Sequence, residues 1–201
     1  MAVSFVTHEL ELPSGDLSLL QPGDAAELPD DGPIEWAPMV PYWSVLWRSG
    51  LALAHELADA PLAGMRVLEL GCGLGVPSLV AARAGAGVLA TDEDPEALDL
   101  LRRNARANAI DVETARVDWR AADELAAQAP FDLVVAADVL YEPDGIQLLV
   151  PLLPRLGREV WLADPGRAVA DAFFELARDD WSVATSVRDG IEIHRLTAAA
   201  R

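Results

Sequence analysis

The 201-residue sequence predicts an α/β fold: a doubly wound, mostly parallel sheet closed by a C-terminal antiparallel hairpin. Three observations predict it. From Arg66 onward, short apolar runs alternate with longer amphipathic stretches, the order expected of strands joined by crossover helices. A cluster of glycines follows the first of those runs, as in a tight strand-to-helix turn. Near the end, Asp189-Gly190 separates two strand-like stretches and is a strong hairpin turn signal.

Residues 1–60 read as an N-terminal extension and residues 61–201 as the core on which it packs. In the extension, residues 1–12 alternate loosely, and Leu17–Leu20 forms a second short apolar stretch after the turn signal Pro13-Ser14-Gly15-Asp16. Residues 21–35 are rich in proline and acid and read as an exposed loop. A tryptophan-rich segment, 36–47, then leads into a helix expected over Ser49–Asp59. In the core, strands are expected at Arg66–Leu70, Gly87–Thr91, Val112–Val117, Phe131–Ala136 and Glu159–Ala163. The intervening helices are expected at Val76–Ala84, Pro95–Asn108, Ala121–Gln128, Gly145–Leu156 and Ala168–Asp179. Leu98, Leu101 and Ala105 share one face of the second of these. Trp181–Val187 and Ile191–Leu196 form the closing hairpin.

Composition narrows the function. The apolar share of 52% and the charged share of 24% describe an ordinary folded chain. One cysteine excludes a disulfide framework and a multi-cysteine zinc site. No apolar run approaches the ~20 residues of a membrane helix. The opening MAVSFVTHELEL has no basic region followed by an apolar stretch, so a cytoplasmic protein without a signal peptide is expected. The formal net charge is −18, which repels phosphate backbones and disfavours a nucleic-acid substrate. A basic protein or a cationic small molecule suits that field better. All fifteen basic residues are arginine, and with the abundant alanine this suggests GC-rich, bacterial coding.

Glu69-Leu70-Gly71-Cys72-Gly73-Leu74-Gly75, at the end of the first core strand, carries the sharpest signal. Glycines there let a ligand approach the backbone, and the following helix offers free N–H donors. The rival pattern is the dinucleotide fingerprint G-x-G-x-x-G, and a tight turn without a ligand is the plainer alternative. Gly75 comes one place early for that fingerprint, and Val76 stands where it wants glycine. The spacing E-x-G-x-G-x-G resembles motif I of the class I, seven-β-strand methyltransferases, which bind S-adenosylmethionine.

Three later elements fit that resemblance. Asp92 closes the second strand about twenty residues after the glycines, where a carboxylate accepts hydrogen bonds from ribose hydroxyls. Glu93 and Asp94 are alternatives, and all three acids can instead cap the next helix. Asp118-Trp119 follows the third strand; in the methyltransferases it resembles, a residue here contacts the adenine amine and an aromatic neighbour covers the ring. A strand-end turn with a core tryptophan is the alternative. Asp138-Val139-Leu140-Tyr141 follows the fourth strand, at the sheet edge where open α/β folds bind ligands.

That D-x-x-Y element resembles the seven-strand protein lysine methyltransferase group. Ala163-Asp164-Pro165-Gly166-Arg167 is similar to the G-D-P-G-R stretch of the electron transfer flavoprotein β-subunit lysine methyltransferases, with Ala163 in place of the first glycine. The resemblance implies a Rossmann-like sheet of seven strands and a monomer. It also implies transfer of a methyl group from S-adenosylmethionine to a lysine of a protein, with the electron transfer flavoprotein β-subunit as one such substrate. A small amine of the nicotinamide kind, or a non-catalytic protein that retains the fold, are the competing expectations.

By that resemblance the cofactor is held by Trp47, Glu69, Gly71, Cys72, Gly73, Gly75, Asp92, Glu93, Asp118, Trp119 and Ala137. Asp138 holds and helps to deprotonate the target amine, and Tyr141 hydrogen-bonds it. A strand-end cap remains the alternative for Asp138, and a core cluster with Trp36 and Trp43 the alternative for Trp47. Asp24, Glu27, Asp30, Asp31 and Glu35 are expected to attract a lysine-bearing surface. His8, His55 and His194 lie far apart without ligand spacing, so no metal is expected.

Overall fold

The computed structural model describes residues 4–23, 25 and 41–199. Strands β1 (Phe5–Leu10) and β2 (Leu17–Pro22) pair antiparallel as a separate two-stranded sheet. Helix α1 (Arg48–Ala58) precedes strand β3 (Arg66–Leu70), α2 (Val76–Arg83), β4 (Gly87–Asp92), α3 (Pro95–Ala107) and β5 (Glu113–Arg116). The four-residue α4 (Asp123–Ala126), β6 (Leu133–Ala137), α5 (Pro143–Leu156), β7 (Glu159–Asp164), α6 (Ala168–Ala177), β8 (Trp181–Arg188) and β9 (Ile191–Ala198) complete the chain.

The main sheet has seven strands in the order β5-β4-β3-β6-β7-β9-β8. Pairing is parallel from β5 through β7, and β9 is antiparallel to both of its neighbours. Helices on both faces bury the central strands twice over, which is why β3, β6 and β7 are mostly apolar, with Glu69 the charged residue inside β3. Val67, Leu133 and Val135 face the core that holds Leu53, Leu79 and Leu101. Leu68, Leu70 and Val134 face the other, with Leu149, Leu153 and Phe173. The strand order reverses between β3 and β6, so a crevice opens beyond their carboxyl ends.

The N-terminal sheet is tied on by a device absent from the sequence reading. Asn108 accepts from the Ser18 N–H at 2.9 Å and donates to the Ser18 carbonyl at 2.8 Å. One helical turn earlier, Asn104 accepts from Leu20 N–H at 2.8 Å and donates to the Leu20 carbonyl at 3.3 Å. Two amides at i and i+4, one on α3 and one at its C-cap, thus stand in for a neighbouring strand. Asn104, fully buried, also reaches the Leu74 carbonyl in the glycine turn.

Two element expectations change. The helix expected at Ala121–Gln128 is a 3-10 turn, Trp119–Ala121, followed by the short α4. The Asp118 carboxylate caps the Arg120 N–H and starts that turn two residues early. The strand expected at Val112–Val117 shortens to Glu113–Arg116, at a sheet edge with no buried residue to extend it. The acidic residues Asp24, Glu27, Asp30, Asp31 and Glu35, together with Trp36, lie outside the described residues. Among those described, no helix is long and apolar enough to cross a membrane.

Candidate active site

A cleft of about 560 Å³ lies beyond the carboxyl ends of β3, β4 and β6, lined by Tyr42, Trp47, the glycine turn, Asp92, Trp119 and Asp138 among others. A larger hollow, about 760 Å³, lies at the opposite edge of the sheet against Arg66, Gly87 and Phe131. Its arginines are already committed: Arg66 to the Pro130 and Gln128 carbonyls, Arg83 to those of Gly15 and Asp16. The smaller cleft gathers the polar groups and the helix N-terminus that ligand chemistry needs, so the site is assigned there.

The glycine turn forms the floor. Gly73 has φ +49° and Gly75 φ +79°, left-handed conformations that other residues adopt only with strain. A Cβ on Gly73 would lie 3.0 Å from the Trp43 carbonyl oxygen, and one on Gly75 2.1 Å from Leu101 Cδ1. The turn is therefore squeezed between the Trp43 segment and α3. Cys72 donates its N–H to the Thr91 carbonyl at 2.9 Å, and its thiol is buried and pushed up by desolvation. It is a filler of this turn with no activated thiolate.

Glu69 is buried behind the floor. One carboxyl oxygen accepts from both the N–H and the hydroxyl of Ser78, in the first turn of α2. Burial pushes its pKa up to about 8, against those two hydrogen bonds, so at neutral pH it mostly holds its proton. Asp92 is the tie between two turns: Oδ2 accepts from Gly73 N–H at 2.9 Å and Oδ1 from Asp94 N–H at 3.0 Å. Desolvation raises its pKa while those N–H groups oppose the shift. A carboxylate has about four acceptor positions, so both oxygens keep a lone pair for a ligand hydroxyl. Asp94, the alternative, caps α3 through Glu96 N–H at 2.8 Å. Glu93 is exposed at the rim, 3.7 Å from Arg120.

Asp118 and Trp119 make one wall. Arg120 holds the Asp118 carboxylate through Nε at 2.8 Å and keeps it below its ordinary pKa. A Cβ on Gly71 would lie 3.7 Å from Trp119 Cζ2 and 3.1 Å from Val139 Cγ1, so the indole stands directly against the floor. Tyr42, Trp43 and Trp47 form the opposite wall, with Trp47 Nε1 donating to the Tyr42 carbonyl at 2.9 Å. Tyr42 meets Tyr141 edge to face, with ring centroids 6.2 Å apart. Burial raises the Tyr141 pKa, with the Glu142 charge second, so its hydroxyl stays protonated.

Asp138 lies at the far end, just past Ala137 on β6. Its φ is +58°, and its N–H donates to the Ala163 carbonyl at 2.9 Å. The side chain is buried, with Oδ1 2.7 Å from Arg167 Nη2. Oδ2 has no hydrogen bond of good geometry, although the Ser49 hydroxyl is close enough to favour the charged form. Desolvation still leaves its pKa above the ordinary value, with Arg167 pulling it down. The structure thus brings every residue expected in the site to one cleft, with Glu69 turned toward Ser78 beneath it. Ser49, Asp164 and Arg167 join these residues without having been expected there. The stretch Asp164–Arg167 was the signal that pointed to the last two.

Comparison with known proteins bears on the same residues. A family model described as lysine methyltransferase matches residues 43–164. The electron transfer flavoprotein beta subunit lysine methyltransferase of Xenopus laevis is 37% identical over 136 residues, 64% of this chain and 54% of that protein. Its counterpart in Danio rerio is 34% identical over 145 residues, 69% of this chain and 55% of that protein. The chain spans about half the length of these curated relatives. Among solved structures, the T. thermophilus 16S rRNA N2 G1207 methyltransferase in complex with AdoMet and guanosine superposes with a TM-score of 0.73. That match has 18% identity and covers 99% of this chain and 52% of the other, a likeness of fold.

Proposed function

The chain belongs to the lysine methyltransferase family, and from that premise we propose that it methylates lysine side chains of a protein with S-adenosylmethionine as the methyl donor. The observation that carries the reading is Asp138: a buried carboxylate lining the cleft that shares the single Arg167 guanidinium with Asp164. Two carboxylates on one guanidinium leave an excess negative charge, which an ammonium group compensates. Asp92 and the left-handed glycine turn at the other end fit the methyl donor, whose ribose and amino-acid moieties need acceptors and close backbone approach.

Gly71, Gly73 and Gly75 would hold the methionine moiety, Asp92 with Glu93 would take the ribose, and Asp118 would meet the adenine amine. Trp119 and Trp47 would pack against the donor, and the Cys72 and Ala137 backbone would complete the surface. Bound S-adenosylmethionine supplies a sulfonium methyl group, and its transfer moves one positive charge onto the amine nitrogen.

A lysine amine is protonated at neutral pH, with an ordinary pKa of about 10.4, so it must shed a proton before it can act as a nucleophile. A carboxylate is a far weaker base than a lysine amine, so Asp138 does not by itself carry that proton away. Its part is to orient the nitrogen and to stabilise the charge that develops there, while the proton leaves to solvent at the cleft mouth. Tyr141, protonated, fixes the same nitrogen as hydrogen-bond partner.

The electron transfer flavoprotein β-subunit is the first substrate to test, on the strength of the relatives named above. Tritiated methyl groups should pass from S-adenosylmethionine to a lysine of the recombinant subunit, with nicotinamide and free lysine assayed in parallel. This chain has no lysine of its own, so labelled lysine can only come from the substrate. Methylation of nicotinamide and of no protein would contradict the reading.

A further inference from the structure

Strand β7 ends in Asp164, which is fully buried. Its Oδ1 accepts from the Gly166 N–H at 2.8 Å and from the Arg167 N–H at 2.7 Å, which fixes the turn into α6. Its Oδ2 then takes Nη1 of Arg167 at 2.8 Å. The guanidinium is planar, so binding one carboxylate through Nη1 dictates where Nη2 points. It points at Asp138 Oδ1, 2.7 Å away, and the arginine side chain is 17% exposed. Two carboxylates and one guanidinium leave the cluster one negative charge.

We propose that Arg167, clamped by Asp164, is the positioning residue of this site: it fixes the Asp138 carboxylate and its charge at the end of the cleft where the substrate amine arrives. The inference rests on the reading of Asp138 as the amine-binding group. It gives the cluster a second consequence. An approaching monocation completes its charge, whereas a neutral ligand leaves a buried net charge uncompensated. The site is thereby matched to an amine that is cationic before and after methylation, and it disfavours a neutral amide or hydroxyl substrate.

Arg167 also sets the ionisation of Asp138. The charged groups acting on that carboxylate are Arg167 and Asp164; α1 contributes the uncharged Ser49. On the neighbouring strand β3, Glu69 stays mostly protonated at neutral pH. Removing the arginine leaves desolvation and the Asp164 charge acting together, and both favour the protonated acid.

The test compares wild type with Arg167→Lys and Arg167→Met. Asp138 ionisation is read by carbon-13 NMR of aspartate-labelled protein, with Asp138→Asn assigning the resonance, so no substrate is needed. The Asp138 titration should move to higher pH in Arg167→Met, with Arg167→Lys between it and wild type. Turnover should fall by roughly 10–100-fold in Arg167→Met, the scale of a misplaced contact. The acid limb of its pH profile should move in the same direction as the NMR titration, with S-adenosylhomocysteine affinity unchanged. Arg167→Lys retains the charge and supplies the reading if the methionine variant fails to fold. An Asp138 titration unmoved in folded variants, or a turnover loss equal at every pH, would overturn the role of Arg167. Failure of wild type to methylate any lysine would instead overturn the proposed function.

Discussion

The two ends of the cleft solve the burial of a carboxylate in opposite ways. At the β4 end, Asp92 gives both oxygens to backbone N–H groups, so its geometry follows from the two turns that meet there. At the β6 end, Asp138 gives one oxygen to a side chain 29 positions away and keeps the other without a partner of good geometry. Backbone donors hold a shape, which suits a ligand that must be recognised whole. A charged partner sets an electrostatic state, which suits a group that must meet a cation and stabilise a developing charge. The difference argues that recognition of the methyl donor and handling of the amine are separable within one cleft.

Substitutions can break that division. Asp138→Asn keeps the shape and removes the charge, and should lower turnover by roughly 10²–10³-fold, the scale of a lost electrostatic contact at a reacting centre. Steady-state methyl transfer gives the number. Asn104→Ala attacks the glycine-turn end from behind: Leu20 loses its side-chain partner, the Leu74 carbonyl loses a donor, and Asn108 alone still holds the hairpin at Ser18. Urea unfolding should show a loss of about 2–3 kcal/mol, since buried backbone groups are left unpaired. Asp92→Ala removes the acceptor of Gly73 and Asp94 and should weaken donor binding by about 1–3 kcal/mol.

The remaining effect is a pH dependence. The Glu69 pKa is about 8 in the fold and near its ordinary value when unfolded, so between those values the folded chain binds the extra proton. Its contribution to stability is present below the lower value and is lost as pH rises through the window. Glu69→Gln does not titrate and keeps an acceptor for the Ser78 N–H. Urea midpoints should therefore favour the variant progressively as pH rises from about 4.5 to about 8, then level off. A constant offset across that range would contradict a protonated Glu69.

The glycine-turn end was legible in the sequence because its geometry is local. Seven consecutive residues make the floor, and Asp92 follows at the next strand end, so spacing alone placed them together. The sheet was legible for a related reason: apolar runs buried on both faces and an Asp-Gly turn are signals carried within single elements. Pairings between distant elements carried no such signal. The Asp138–Arg167 contact depends on parallel strands β6 and β7 ending side by side. The Asn104 and Asn108 amides look like ordinary helix-surface residues until β2 lies against them. The helix expected at Ala121–Gln128 failed for a smaller cause, a cap at Asp118 that begins a tighter turn.

Separability is tested most directly by calorimetric titration of S-adenosylhomocysteine into wild type, Asp92→Ala and Asp138→Asn. The account predicts stoichiometric binding to wild type, a clear loss of affinity in Asp92→Ala, and wild-type affinity in Asp138→Asn. Equal weakening by the two substitutions, or no binding to wild type, would contradict it.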